Sequence, residues 1–310
     1  MTAQPLFDEP ESGTEANCVM VRRQPDLHSI LRVLAEPRSA LPMGEASFVG
    51  CQNQGNAYGT LFGGQLLGQA VLAASETVPD RHIHSLHAYF LASGVIDRPV
   101  RYQVELGREG RSFAHRRVTA SQDTAIFSMN CSFRSSETGW QHQTPMPDAP
   151  APEDLEEMTE IVARRDPALL DQLISHFAGK NPISLRPVQG NFALERQSTT
   201  RRQAWMRIPL LADTDNQSMH RAGLAWLSDY WVSSAALVLH RHPLPGPDIL
   251  LASIDHALWI HRPVRVDDWL FFDADSPVAQ DGTALVRGQI YDRSGALIAN
   301  VAQEVLQRHR

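Results

Sequence analysis

The stretch FGGQLLGQAVLAASETVP, residues 62–79, is apolar almost all the way round, closes on a proline and has a counterpart later in the chain. WLSDYWVSSAALVLHRHP, residues 226–243, matches it at a constant offset of 164, and both end in proline, at Pro79 and Pro243. Around this pair two further matches keep the same order. SLHAYFLASGVIDRPV (85–100) pairs with SIDHALWIHRPV (253–264), and AIFSMNCSF (125–133) pairs with LIANVAQEV (297–305) at offset 172. Three matches in one order indicate an internal duplication. Each copy reads as one helix followed by several strands. A helix apolar on every side must be covered on most of them. The polar turns GREGRS, AQDGTA and YDRSGA mark antiparallel hairpins able to supply the cover. The expectation is α+β: a double hotdog, two tandem hotdog repeats, each with a long central helix wrapped by an antiparallel sheet. A parallel α/β fold would alternate strand and helix, and these copies do not.

Residues 1–27 are polar and acidic and read as a disordered tail. Residues 28–135 form the N-terminal repeat, with LHSILRVLA (27–35) as a short amphipathic helix at its entrance. QTPMPDAPAPEDL (143–155), with four prolines, marks a linker that runs with surface helices through 136–200 and breaks near Pro167. Residues 201–310 form the C-terminal repeat.

Totals bound the function. The 310 residues carry a net charge of -7 and no Lys/Arg block, which argues against nucleic acid. No apolar run is long enough to span a bilayer, so stable membrane insertion is not expected. The first residues lack the apolar core of a signal peptide, and the ending QRHR is no peroxisomal-type address. Cys18, Cys51 and Cys131 show neither metal-ligand nor disulfide spacing. These features predict a cytoplasmic protein with no metal and no cofactor. The sheet edges of such a fold predict a homo-oligomer, dimer or tetramer.

The duplication supplies an internal control for the chemistry. At offset 164 Asp229 faces Gln65, and at the head of the next matched segment Ser253 faces Ser85. In the last strand Gln303 takes the core-facing place held by Cys131. An unpartnered buried amide costs a few kcal/mol, so Gln303 needs polar neighbours. A carboxylate, a hydroxyl and an amide converging in apolar surroundings suit activation of a water. The plain alternative for Ser228 or Asp229 is a helix N-cap, worth about 1 kcal/mol. Gly63 and Gly64, at the start of the first helix, permit close backbone approach and an oxyanion contact, or simply tight packing.

The stretches GTLFGGQLLGQAVLAASETVP, IHSLHAYFL, GREGRSFAHRRV, LSDYW, SIDHALWIHRP and VAQE, in that order, resemble the acyl-CoA thioesterase II family over roughly residues 47–308. The resemblance implies hydrolysis of fatty acyl-CoA to free acid and CoA, a role in fatty acid metabolism, and an acyl-CoA substrate. It also implies a water activated by an Asp, a Ser or Thr, and a Gln, which fall on Asp229, Ser253 and Gln303. Gly63, Gly64, Gln65, His84, Arg111 and Arg117 are the candidate substrate-binding positions. Ala92-Ser93-Gly94-Val95 stands where the family often has Arg-Pro-Gly-Asp, so chain-length preference is not carried over. The competing functions are a hotdog enoyl-CoA hydratase or dehydratase and a non-catalytic acyl-CoA sensor. The hydratase needs a His acting with the Asp, and no His follows Asp229 until His240.

Overall fold

The helix expected to open at Ser228 and Asp229 in fact closes there. In the computed structural model, which describes residues 26–37, 42–165, 167–168, 170, 182–189, 195–240 and 248–309, the second repeat's helix is Gln217–Ser228. The apolar run after it forms only a short 3-10 turn, Val232–Ala236. The offset of 164 therefore aligned unlike elements. Two apolar runs ending in proline matched by composition, whereas the structural counterparts of Gly63–Ser75 lie eleven residues earlier.

Four α-helices and thirteen strands are numbered here among the described residues. They run α1 Leu27–Leu31, β1 Leu34–Ala35, β2 Glu45–Gly50, α2 Gly63–Ser75, β3 His82–Phe90, β4 Val100–Glu109, β5 Phe113–Ser121 and β6 Ala125–Arg134. Then come α3 Met158–Arg165, β7 Ser184–Pro187, β8 Arg202–Arg207, α4 Gln217–Ser228, β9 Ile249–Ser253, β10 Asp255–Ile260, β11 Leu270–Gln280, β12 Thr283–Asp292 and β13 Leu297–His309. The strands form one sheet in the order β1-β2-β4-β5-β6-β3-β10-β13-β12-β11-β8-β7, with β9 on β13. Read from its centre outward, the order is the same in both directions. This is the double hotdog, with β3 and β10 joined antiparallel at the seam.

The strands form where residues alternate. Val100, Tyr102 and Val104 of β4 face the core, while Arg101, Gln103 and Glu105 face solvent. β11 turns into β12 through Asp281-Gly282, both at positive φ, the geometry of a type I′ hairpin. α2 is buried at every residue except Gly63. It packs across α4: a Cβ on Gly64 would lie 2.6 Å from the Trp226 carbonyl oxygen, and one on Gly68 would lie 3.1 Å from that of Ala222. Glycine at these positions lets the two helices approach backbone to backbone and brings the N-terminus of α2 beside the C-terminus of α4.

The proline-rich segment is a strap over the outside of the second repeat. Met146, Ala149 and Leu155 pack on Trp205, Trp269, Phe271 and Tyr291. Trp205 Nε1 donates to the Pro150 carbonyl at 2.9 Å, and Gln143 Nε2 donates to that of Gly295 at 2.8 Å. The amphipathic stretch 27–35 is one helical turn followed by the short strand β1. The tail expected to be disordered lies, up to residue 25, outside the described residues. Cys51 is disulfide-bonded, contrary to the reading of cysteine spacing.

Candidate active site

Asp229 is the residue just past α4, and its carboxylate reaches across the seam to the other repeat's helix. α2 starts at Phe62 without a side-chain cap, and Asp229 accepts a hydrogen bond from the Gly64 N–H. α4 needs no such help, because Asn216 caps it, accepting from Ser218 N at 2.8 Å and Met219 N at 3.3 Å. The capping role weighed for Asp229 is therefore real, but the helix it caps is α2. Gly63 makes room for this contact. A Cβ there would lie 2.7 Å from Asp229 Oδ2 and 2.9 Å from the Phe90 ring.

Two strands complete the constellation. Ser253, at the end of β9, donates to Asp229 Oδ1 at 3.1 Å. Gln303, in the middle of β13, donates through Nε2 to Ser253 Oγ at 2.7 Å and also reaches the Asp229 carboxylate. Asp229 is 6% exposed. Burial raises its pKa from 3.8 to about 7, against the opposing pull of Ser253, Gln303 and Gly64. Aromatic rings keep the surroundings dry: Tyr230 stacks on Trp226 at 5.7 Å, and Phe62 meets Trp226 edge-on at 5.5 Å.

One residue of this cluster was not singled out from the sequence. His256 of β10 is 1% exposed, with Nδ1 2.6 Å from Gln303 Oε1 and Nε2 2.9 Å from Ser228 Oγ. Sheet register reveals what marks it. In the first repeat Ile83 faces Phe133, the register slips by one, and Leu86 faces Cys131. In the second, Ser253 faces Val305, the register slips at Ile254, and His256 bonds to Gln303. The positions equivalent to Ser253, His256 and Gln303 are thus Ile83, Leu86 and Cys131. Ser85 is not the counterpart of Ser253. The match was off by two residues because both copies offer a serine near the bulge.

The carboxylate, by contrast, does not distinguish the repeats. α2 ends Ser75-Glu76 as α4 ends Ser228-Asp229, and each serine hydroxyl lies within hydrogen-bond distance of a carbonyl of its own helix. The first copy has its acid, Glu76, at the helix C-terminus, and Gln65 is not its counterpart. What the first copy lacks is the Ser–His–Gln set.

The remaining candidates fall elsewhere. Gln65 is buried and serves the loop before α2, bonding Gln54 N and donating to Asn53 Oδ1 at 2.7 Å. His84 sits near the start of β3, 2.9 Å from Ser132 Oγ, while Phe90 at the strand's other end abuts Gly63. Phe90 lies six steps along the strand from His84, roughly 20 Å away. Burial and nearby Arg134 push His84 down to about 4. Arg111 is exposed in the β4–β5 turn, and exposed Arg117 lies 3.9 Å from Glu105. Between them Arg116 turns inward and is held by Thr77 and Glu109.

This geometry sits on sequence matches that cover most of the chain. Residues 53–134 match the model of the acyl-CoA thioesterase N-terminal domain, and residues 148–307 match that of the acyl-CoA thioesterase C-terminal domain. The chain belongs to the acyl-CoA thioesterase II family. This thioesterase is 35% identical over 256 residues to acyl-coenzyme A thioesterase 8 of Homo sapiens, covering 79% of each chain. It is 34% identical over 260 residues to acyl-CoA thioesterase 2 of Haemophilus influenzae, covering 83% of this chain and 91% of that one. Among solved structures, acyl-CoA thioesterase II TesB2 from Mycobacterium marinum superposes with a TM-score of 0.72 at 32% identity, over 91% of this chain and 98% of that one. The thioesterase is accordingly a thioester hydrolase on a double-hotdog frame. Among its described residues no helix is long and apolar enough to cross a membrane.

Proposed function

We propose that the enzyme cleaves fatty acyl-CoA by direct attack of a water on the thioester carbonyl, the water being held by Asp229, Ser253 and Gln303. The observation that carries this reading is the convergence of a hydroxyl and an amide on one buried carboxylate raised to about 7. A base poised near the working pH serves both directions of proton transfer. Asp229 takes a proton from the water as its oxygen bonds to the carbonyl carbon. As the tetrahedral intermediate collapses, the C–S bond breaks and Asp229 returns the proton to the departing CoA sulfur. Ser253 and Gln303 fix the water in line, and the helix dipole of α2 favours the ionised carboxylate. The Gly64 N–H is occupied by Asp229, so it holds the base rather than the oxyanion. An apolar cavity borders Ser228, lined by Met206, Leu227, Val232, Phe272, Ile290 and Val301. The working protein is proposed to be cytoplasmic and homo-oligomeric.

His256 bears on the hydratase reading. It lies within the cluster, but both its ring nitrogens are engaged by Gln303 and Ser228. It therefore has no free nitrogen to act with Asp229 on a substrate. Rapid-quench hydrolysis in ¹⁸O-water tests the mechanism. One label should enter the acid in a single turnover, with no protein adduct; an acyl ester trapped on Ser253 overturns water attack.

A further inference from the structure

We infer that His256 is a positioning residue for the thioesterase reaction: as the Nδ1–H tautomer it locks the Gln303 amide so that its N–H groups face Ser253 and Asp229. The inference rests on the proposed role of those three residues and adds a fourth that neither composition nor family resemblance supplied.

Gln303 Nε2 lies 2.7 Å from Ser253 Oγ and is also bonded to the carboxylate. Its amide oxygen therefore points the other way, to His256 Nδ1 at 2.6 Å. An amide oxygen only accepts, so Nδ1 carries the proton. Burial drives His256 down to about 4, which leaves the ring neutral at working pH and Nε2 a bare acceptor. Ser228 Oγ, 2.9 Å away, supplies the proton to Nε2. Every donor then points toward the base: Ser228 to His256, His256 to Gln303, Gln303 to Ser253, Ser253 to Asp229. The chain begins on the residue adjacent to Asp229 and so closes on itself at the end of α4.

The opposite polarity is also available. Ser228 Oγ lies 2.9 Å from the Ala225 carbonyl and can donate there instead. His256 would then carry its proton on Nε2, and Gln303 would turn its oxygen to the carboxylate. That contact is repulsive once Asp229 ionises. Ionisation of Asp229 and the Nδ1–H tautomer therefore select one another, and His256 keeps the amide from turning. The first repeat has Leu86 and Cys131 at these places and can hold no such chain.

Replacing His256 by Leu, the first repeat's residue, should lower kcat roughly ten- to hundredfold, the scale of one uncompensated buried hydrogen bond, and change KM less than threefold. His256→Asn puts an N–H donor where Nδ1 was and should restore kcat to within about fivefold of wild type; His256→Gln, which mimics Nε2, should not. In a Gln303→Ala background, His256→Leu should cost less than threefold more, because the residue it positions is gone. ¹⁵N spectra of the labelled imidazole at pH 8 should show Nδ1 protonated and Nε2 bare. The inference is overturned if the spectra show the Nε2–H tautomer, if His256→Asn is no better than His256→Gln, or if the His256 and Gln303 losses multiply. Should His256→Leu fail to fold, the Asn and Gln variants and the spectra still decide. Loss of the underlying reading looks different: Asp229→Asn would then stay active whatever His256 does.

Discussion

Replacing Asp229 by Asn keeps the side chain's shape and removes its charge, which separates what the carboxylate does for stability from what it does for turnover. In the unfolded chain this carboxyl ionises near 3.8, and in the fold near 7. Between those values the unfolded chain has lost the proton and the folded enzyme has kept it. Stability therefore falls as pH rises through this window, by about 1.4 kcal/mol per unit. The difference of about three units amounts to a cost of about 4 kcal/mol, fully developed above pH 8 and absent below pH 3.8. Asn pays no such cost. The stability of Asp229→Asn relative to wild type should thus climb by about 4 kcal/mol between pH 4 and pH 8 and then level off. Taking the difference between the two proteins cancels every other titrating group. Denaturant unfolding at half-unit pH steps measures it. Over the same range wild-type kcat/KM should rise to a plateau with an apparent pKa of about 7, because only ionised Asp229 accepts the water's proton. Asp229→Asn should lose roughly 10²- to 10⁴-fold in kcat at every pH. A stability difference that stays flat from pH 4 to pH 8 would refute the buried-carboxylate argument. A variant with kcat within fivefold of wild type would refute the catalytic one.

Gly63→Ala should lower kcat at least tenfold with folding retained, because its Cβ would displace Asp229 Oδ2 or Phe90; steady-state kinetics beside circular dichroism check it. Ser253→Ala should cost roughly ten- to hundredfold in kcat, and Ser253→Thr should stay within about fivefold of wild type, since the bridge from Gln303 to Asp229 needs only the hydroxyl. Trp205→Ala should destabilise the second repeat by about 3–5 kcal/mol, by emptying the cluster under the strap and freeing the Pro150 carbonyl. Its kcat per folded molecule should be unchanged, which thermal melts and active-site titration together would show.

The sheet was legible because strands announce themselves locally. Alternation in β4, β6 and β13 and the Asp281-Gly282 turn are each readable within ten residues. Gln303 was legible for the same reason: a polar residue on an otherwise apolar face of one strand. His256 was not, because its meaning depends on register. Only the pairing of β10 with β13 shows that it faces Gln303, and a one-residue bulge at Ile254 shifts that pairing from what direct alignment gives. The helix was misplaced for a related reason. Burial all round removes the periodicity that would mark its ends, so the run Leu227–Leu239 looked as helical as Gln217–Ser228. Asn216, a standard N-cap residue followed by Gln217-Ser218-Met219, was the local signal that marked the true start.

The asymmetry between the repeats follows from how the two helices are capped. In a tandem double hotdog the N-terminus of each central helix meets the C-terminus of the other, so two equivalent sites are available at the seam. Both C-termini carry Ser followed by an acid, Ser75-Glu76 and Ser228-Asp229. Only one of the facing N-termini is left open. α4 satisfies itself through Asn216, whereas α2 presents Gly63 and Gly64 and takes its cap from Asp229. A carboxylate that must cap a buried helix is held in place before any substrate arrives. The same burial lifts its pKa toward neutrality, and the Ser–His–Gln set on β9, β10 and β13 supplies the hydrogen bonds that keep part of it ionised. Glu76 has none of that set beside it. Its Oε1 is buried without a hydrogen-bond partner, and burial raises its pKa. Capping and catalysis at Asp229 are therefore one arrangement: the orphan N–H of Gly64 is what orients the base.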